Sequence, residues 1–369
     1  MTYIEHFSNE LFYDIFDYLD GYEIFHAFSK LNHRFESLLN ARSLFLRIQI
    51  SSQSIFDSPW QSLLIPQRHR ILSLNFADES ILDRFIHQCT IDSSFRTLRS
   101  LNLNSLPAYK CLALLFDLIL LPRLSSLTCS LTSCFVDVSY IYRIVFRFRF
   151  LNFFKLSLPI IEDLEDFEQA IFVVEQQQIS PIEYLLIDHC CTLEDFLSIL
   201  SFLPRLRHLT CQTLFQIEPN HLPRQEFFPT ISHLTHLNIE RCELKFDRLE
   251  ILLEKFGGQM QVLRLIHRKN EQVYLDAYRW ERLIIESMPN LKRFSLKYYE
   301  RLNDRCTLTS THRSLDRYSS SFWIDRQWCI ELELRTSSLI YSIQPFRYRS
   351  EISSSSSSLS SNSFCVCLF

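Results

Sequence analysis

The sequence predicts an α/β protein in which three short N-terminal helices lead into a solenoid of strand-plus-helix repeats. Two observations carry this expectation. The opening 48 residues hold three apolar stripes at helical spacing, and residues 70–300 hold a recurring apolar-x-x-Leu-x-apolar unit. Composition sets the limits. The 369 residues exceed one ordinary core, and 47% are hydrophobic, with Phe alone reaching 32. Such a chain can bury most of itself. The expected organisation is a helical module over 1–48, a linker over 49–69, the repeats over 70–300, a cap region over 301–349 and an unstructured serine-rich tail over 350–369.

The helical module reads from caps and stripes. Ser8 can cap a first helix, with Glu10 in its first turn and Leu11, Phe12, Ile15, Phe16 and Leu19 along its apolar side. Asp20 with Glu23 three residues on forms a capping-box pair for a second helix, and Gly21 relieves the turn between the two. Ile24, Phe25, Ala27, Phe28 and Leu31 supply the second apolar side. A third helix runs from about Asn32 through Phe35, Leu38 and Leu39. Forty-odd residues seldom fold without a partner. So much apolar area in so small a module predicts that another protein covers part of it.

The stretch from Ile4 to Leu39 resembles an F-box. The matching pairs are Glu10-Leu11, Ile15-Phe16, Tyr18-Leu19 with Asp20, Ala27-Phe28 and Arg34-Phe35, and Phe7-Ser8 stands where the family usually has Leu-Pro. The resemblance covers about residues 4–47. It implies docking on the Skp-type adaptor of a cullin–RING ubiquitin ligase, through Phe7, Ser8, Leu11, Ile15, Phe16, Leu19, Ala27 and Phe28. It also implies that the rest of the chain captures a target protein.

The repeat unit starts at Ile71, Leu98, Leu124, Phe153, Ile182, Leu206, Leu234, Met260 and Leu291. These starts lie about 24–31 residues apart, close to the ~20–29-residue period of leucine-rich repeats, which the array resembles. Helical patterns fall between them, at Ile81–Ile86, Val138–Phe146, Leu193–Leu200 and Leu249–Phe256. Strand plus helix at a fixed period implies a horseshoe, with parallel strands lining one side. The family's ninth position often holds Asn or Cys, and here only Cys190 and Cys242 fill it. Outward strand positions would form the recognition surface. Its candidate target contacts are Arg207, His208, Gln212, His236, Asn238, Glu240, Arg264, Lys292 and Lys297. After residue 300 the period is lost. Two strands over "FWIDRQWCIELELR" and "SLIYSIQPF" are expected to cap the array, with Trp323 and Trp328 over its last apolar layer.

Several function classes are disfavoured. Gly21, Gly257 and Gly258 are the only glycines, so no phosphate-cradling glycine loop and no Gly-x-Ser-x-Gly elbow can form. A net charge of -4 argues against a nucleic-acid partner. The longest apolar run, Leu112–Leu121, is broken by Asp117 and too short for a bilayer, and the N-terminus lacks the pattern of a signal peptide. The 12 cysteines form no CxxC pair, which reads as a reduced compartment with buried thiols. His208 and His236 share one position of successive repeats and would stack about 4.8 Å apart, without ligands to complete a metal site. The expectation is a cytoplasmic or nuclear adaptor without enzymatic activity, metal or cofactor, bound to neither membrane nor nucleic acid. Its partners would be the Skp-type adaptor, cullin through it, and a target. The alternative is a protein-interaction scaffold of the same build without ubiquitin transfer.

Overall fold

The structure is a computed structural model that describes residues 4–41, 43–51, 65–133, 137–159, 179–217, 229, 231–301, 316–335, 338–345 and 365–368. The chain divides into two units, Met1–Ala170 with Ser180–Ile182, and Ile171–Ile179 with Glu183–Phe369. Residues 70–300, read above as one array, are therefore shared between the two. Both units are α/β with mainly parallel strands.

The first unit opens with α1 (Asn9–Phe16), α2 (Gly21–Phe28) and α3 (His33–Leu39), so the three-helix start is present. The caps at Ser8 and Asp20 are those expected, and Asn32 adds a third. Ser8 accepts from the Leu11 N–H at 3.4 Å, and Asn32 accepts from Phe35 N–H at 3.1 Å. The Asp20 carboxylate accepts from Tyr22 N–H at 2.7 Å, while Glu23 accepts from the Asp20 N–H at 2.9 Å, closing the capping box. An aromatic cluster holds the helices together. Phe12 meets Phe35 edge-on at 4.9 Å, and Phe16 meets Phe28 at 5.0 Å.

Five strands follow: β1 (Leu46–Ile50), β2 (Ile71–Phe76), β3 (Ser100–Leu106), β4 (Ser126–Leu131) and β5 (Phe153–Ser157). Each pairs in parallel with the next. Leu74, Leu101 and Leu127 lie in register and buried, as do Phe76, Leu103 and Cys129. Helices α4 (Glu79–Gln88), α5 (Ala108–Leu118) and α6 (Val138–Val145) connect the strands. Lys110 on α5 bridges to Asp83 at 2.7 Å and to Glu79, both on α4.

Four sequence readings change in this unit. First, β1 straddles the expected boundary at 48/49 and adds a strand ahead of the first expected repeat, with Ile48 opposite Leu74 and Ile50 opposite Phe76. Second, Leu127 pairs with Phe154 and Cys129 with Leu156, so the fourth repeat starts at Leu151 and not at Phe153. A shift of two residues keeps every side chain on the same face, so alternation alone cannot separate these registers. Third, α5 had no counterpart in the sequence reading, because its 11 residues are apolar beyond one stripe and show little periodicity. Fourth, Gly21 is not a turn glycine. No glycine has positive φ, and a Cβ at Gly21 would sit 3.2 Å from Ile48 Cγ1 and 3.3 Å from the Arg47 carbonyl oxygen. The missing side chain lets α2 lie close against β1.

Arg70 joins the helical module to the strands. Its buried guanidinium donates to the carbonyls of Leu39 at 2.8 Å, Ala41 at 2.6 Å and Leu44 at 2.9 Å, and to Gln67 Oε1 at 2.9 Å. These carbonyls belong to the end of α3 and the loop beyond it, which helix geometry leaves without intrahelical partners.

The second unit repeats the plan. Strands β6 (Tyr184–Thr192), β7 (His208–Phe215), β8 (His236–Glu243), β9 (Val262–His267) and β10 (Arg293–Arg301) run parallel. Leu185, Leu209, Leu237, Leu263 and Phe294 share one buried row, at the positions the repeat spacing predicts. The helices are α7 (Leu193–Ser201), α8 (Phe246–Phe256) and α9 (Ala277–Ser287). Helix α9, absent from the sequence reading, anchors Trp280, whose Nε1–H donates to the Tyr274 carbonyl at 2.9 Å.

Gly257 ends α8 where the chain turns under α9. A Cβ there would come 2.5 Å from Met288 Cγ and 2.6 Å from the Ser287 carbonyl oxygen, whereas one at Gly258 would meet nothing within 4 Å. Gly257→Ala is therefore expected to destabilise by about 1–3 kcal/mol through overpacking against backbone. Gly258→Ala is expected to be neutral or to stabilise by about 0.5 kcal/mol. Paired urea-unfolding curves check both.

Two buried histidines make this unit acid-sensitive. His189 Nδ1 pairs with the Cys190 carbonyl at 2.8 Å. His267 Nδ1 pairs with the Cys242 carbonyl at 2.8 Å, and its ring stacks on Tyr274 at 3.7 Å. Burial pushes both imidazoles down to about 4. The unfolded chain takes up protons near pH 6.5 while the folded one does not. Their contribution is thus complete above about pH 6.5 and is lost as the pH falls through about 4, by on the order of 3 kcal/mol for each histidine. Urea midpoints should fall between pH 6.5 and 5, before most carboxylates titrate, and His267→Phe should flatten that decline. A midpoint constant over this window would contradict the assignment.

The end of the array differs in detail from expectation. Residues 321–325 form a short helix, α10 (Ser321–Asp325), in place of the start of a strand. Then β11 (Trp328–Leu334) and β12 (Ser338–Pro345) pair antiparallel, and β12 pairs antiparallel with β10. Trp323 and Trp328 are buried 6.2 and 5.8 Å from Phe294, where they close the last apolar layer. In the stretch expected to be an unstructured tail, β13 (Cys365–Leu368) pairs antiparallel with β11. Its Cys-Val-Cys-Leu sequence is apolar, unlike the serines before it, which lie outside the described residues. Among the described residues no helix is long and apolar enough to cross a membrane.

Candidate functional site

Two surfaces hold the residues singled out from the sequence, one in each unit. In the first unit, α1 divides what reads as one wide stripe. Phe12 and Phe16 turn inward, and Leu11 and Ile15, four residues apart, turn outward. Phe7 and Leu11 are 38% and 40% exposed, and Ile15, Leu19 and Phe28 are half-buried. Ser8 and Ala27 are exposed beside them. Phe16 is the exception among the expected docking residues. At 3% exposure it belongs to the aromatic core and presents no surface. The wide stripe could not show this, because a helix packed between two neighbours and a helix packed on one give the same apolar count.

Other apolar residues of the helical module are exposed. Tyr18 is 91% exposed, and Ile4 and Leu31 are also open to solvent. Arg34 fixes the approach to α1. Its guanidinium donates to Asn9 Oδ1 at 2.8 Å and to the Phe7 carbonyl, and lies 5.4 Å from the Phe12 ring centre. The segment carrying Phe7 is thus tied to α3 without covering Leu11.

In the second unit, the strand register assembles a polar face. Tyr184, His208 and His236 lie opposite one another on β6, β7 and β8. Their rings stack, Tyr184 on His208 at 4.5 Å and His208 on His236 at 4.0 Å. The histidine pairing is the expected one. Tyr184 is an addition, legible only as the same repeat position one strand earlier. Burial lowers the pKa of both imidazoles, helped by His236 and Arg207 at His208 and by Arg293 at His236. Both rings are therefore neutral near pH 7 and can stack without repulsion.

Asn238 and Arg264 sit side by side in the next row. Arg207 is exposed and pairs with Glu183 at 3.2 Å, an exposed ion pair of small energetic weight. The side-chain carbonyls of Gln212 and Asn238 are enclosed without a hydrogen-bond partner. Glu240, Arg264 and Lys292 are exposed, and Lys297 is half-buried. Arg264 and Arg293 flank the row, while Glu300 is withdrawn from the surface, buried and accepting from Tyr341 Oη at 3.0 Å. The basic lean of these late repeats is thus stronger on the surface than in the sequence.

The thiols on the strands that carry these rings are poor nucleophiles. Burial raises the pKa of Cys191, Cys211 and Cys242. Among the described residues no group of three His, Cys, Asp or Glu gathers to hold a metal ion. The arrangement suits recognition of another surface through stacked rings, guanidiniums and amides. No protein-family model matches the chain, and no curated protein matches it in sequence.

Proposed function

We propose that this chain is a non-catalytic recognition subunit of a cullin–RING ubiquitin ligase. On this reading the helical module is an F-box that docks on a Skp-type adaptor. The strand rows belong to a leucine-rich-repeat-like horseshoe that holds the target protein. Ubiquitin transfer is the work of other subunits, and this chain supplies orientation and effective concentration.

The observation that carries the reading is the exposed pair Phe7 and Leu11, with half-buried Ile15 next to them, on a module whose aromatic core is formed by Phe12, Phe16, Phe28 and Phe35. A module of this size gains nothing from leaving such side chains in water unless a partner covers them. Support also comes from the caps at Ser8, Asp20 and Asn32, which set the three helices without help from these residues.

Co-purification of the full chain with the Skp-type adaptor and cullin tests the reading. Recovery of both supports a ligase subunit. Recovery of adaptor without cullin favours the scaffold alternative, and recovery of neither overturns the proposal.

A further inference from the structure

Helix α5, in the first unit, is apolar on two opposite faces. Cys111, Leu115 and Leu118 are fully buried on its inner side. On the outer side Tyr109, Ala113, Phe116 and Leu120 follow one another at steps of four, three and four residues, the seam spacing of paired helices. Tyr109 is 69%, Phe116 58% and Leu120 71% exposed. On α4 and α8 the outer face is polar instead, with Ser80, Arg84 and His87 turned to solvent on α4 and Asp247, Glu254 and Lys255 on α8. Charges border the apolar stripe along both edges. Lys110 and Asp117, two turns apart, mark the edge toward α4, whose Asp83 and Glu79 hold Lys110. On the other edge α5 packs against α6, which has exposed Asp137 at its start and exposed Arg147 just past its end.

From this surface we infer that two copies of the chain pair through α5, antiparallel about a two-fold axis. The stripe is complementary to itself in that arrangement. Each Phe116 ring lies over Ala113 of the second copy, and each Tyr109 over its Leu120, so large side chains meet small and ring meets aliphatic chain. The edges match as well. Reversing the helix direction brings Lys110 of one copy toward Asp117 of the other along one edge, and Asp137 toward Arg147 along the other. A parallel pair would set Phe116 on Phe116 and Ala113 on Ala113, crowded at one level and hollow at the next. An anionic bilayer fits less well, because it would meet Asp117, Asp83 and Glu79 together with the cations. Taking ~200 Å² for each large side chain, the three exposed ones offer about 400 Å² per copy. The charged edges bring the pair to the ~1000 Å² at which specific interfaces begin, which predicts a reversible dimer of micromolar affinity.

The inference rests neither on adaptor docking nor on target capture. Sedimentation velocity of the full chain from about 1 to 100 µM tests it, and a concentration-dependent shift from monomer to dimer is expected. Phe116→Glu should raise the dimer dissociation constant at least about 100-fold, because pairing would bury a carboxylate without a partner. Its melting temperature at low concentration should match that of the parent chain, since the Phe116 side chain is mostly exposed. Ala113→Phe should weaken the dimer about tenfold or more by setting ring against ring. Adding Phe116→Ala to it exchanges the large and small positions and should restore pairing, which only the antiparallel arrangement allows. Lys255→Glu, on the outer face of α8 in the other unit, should leave the equilibrium unchanged. A chain that stays monomeric over this range, or a dimer that survives Phe116→Glu, overturns the inference. So does an exchange variant that fails to pair, and so does a monomer that binds phosphatidylserine vesicles through Phe116. Adaptor co-purification should be unchanged in Phe116→Glu, so failure of docking and failure of pairing read out apart.

Discussion

Replacing Arg70 by alanine is expected to destabilise the protein by about 3–5 kcal/mol, the cost of breaking a buried charged hydrogen-bond set. The residue is buried and donates to the carbonyls of Leu39, Ala41 and Leu44. Burial lowers its pKa from the usual arginine value, but a guanidinium stays protonated there. Without it, these carbonyls lose their donor where little water can replace it, and each unmade bond costs about 1–3 kcal/mol. Arg70→Lys would keep the charge but cannot reach several carbonyls from one fork, so it should recover only part of the loss. The loss has a location. Amide exchange across α3 and the loop to Leu44 should quicken more than in the second unit. A urea midpoint unchanged in Arg70→Ala would show that the guanidinium is not what fastens the helical module to the strands.

The second large effect concerns docking. Leu11→Lys combined with Ile15→Lys is expected to weaken adaptor binding at least about 1000-fold, or ~4 kcal/mol, because an interface would bury two ammonium groups without partners. The fold should lose only about 1 kcal/mol. Leu11 is exposed, and at half-buried Ile15 the lysine stem can carry its ammonium out to solvent. Phe16→Ala gives the opposite pattern. It should cost about 3–5 kcal/mol of stability by opening the aromatic core, while the exposed Phe7 and Leu11 side chains remain. Isothermal titration with purified adaptor, alongside thermal melts, separates the two cases. Equal loss of binding and of stability in the double lysine variant would mean that Leu11 and Ile15 are structural.

Most of the fold was legible in the residues themselves. Caps at Ser8, Asp20 and Asn32 and the repeat leucines report local geometry, which a sequence carries directly. What stayed hidden depends on distant partners. The register at Phe154 was ambiguous because two pairings two residues apart bury the same face. Strand β1 went unread because its five residues straddle the end of the helical module and the start of the expected linker, too short a pattern on either side. Nothing in the sequence marks Arg70, because its partners come from residues 39 to 44. The same limit applies to the candidate surfaces. The row of His208 and His236 followed from the repeat period. The inward turn of Phe16 depends on Phe28 on the neighbouring helix.

The most direct test of the adaptor reading is amide hydrogen exchange on the full chain with and without a purified Skp-type adaptor. Docking through the exposed face of α1 predicts slowed exchange from Phe7 to Leu19 and at the end of α2, with β6 to β10 unchanged. The effect should vanish in the double lysine variant. Unchanged exchange over those residues, at adaptor concentrations where known complexes of this size are saturated, would contradict it.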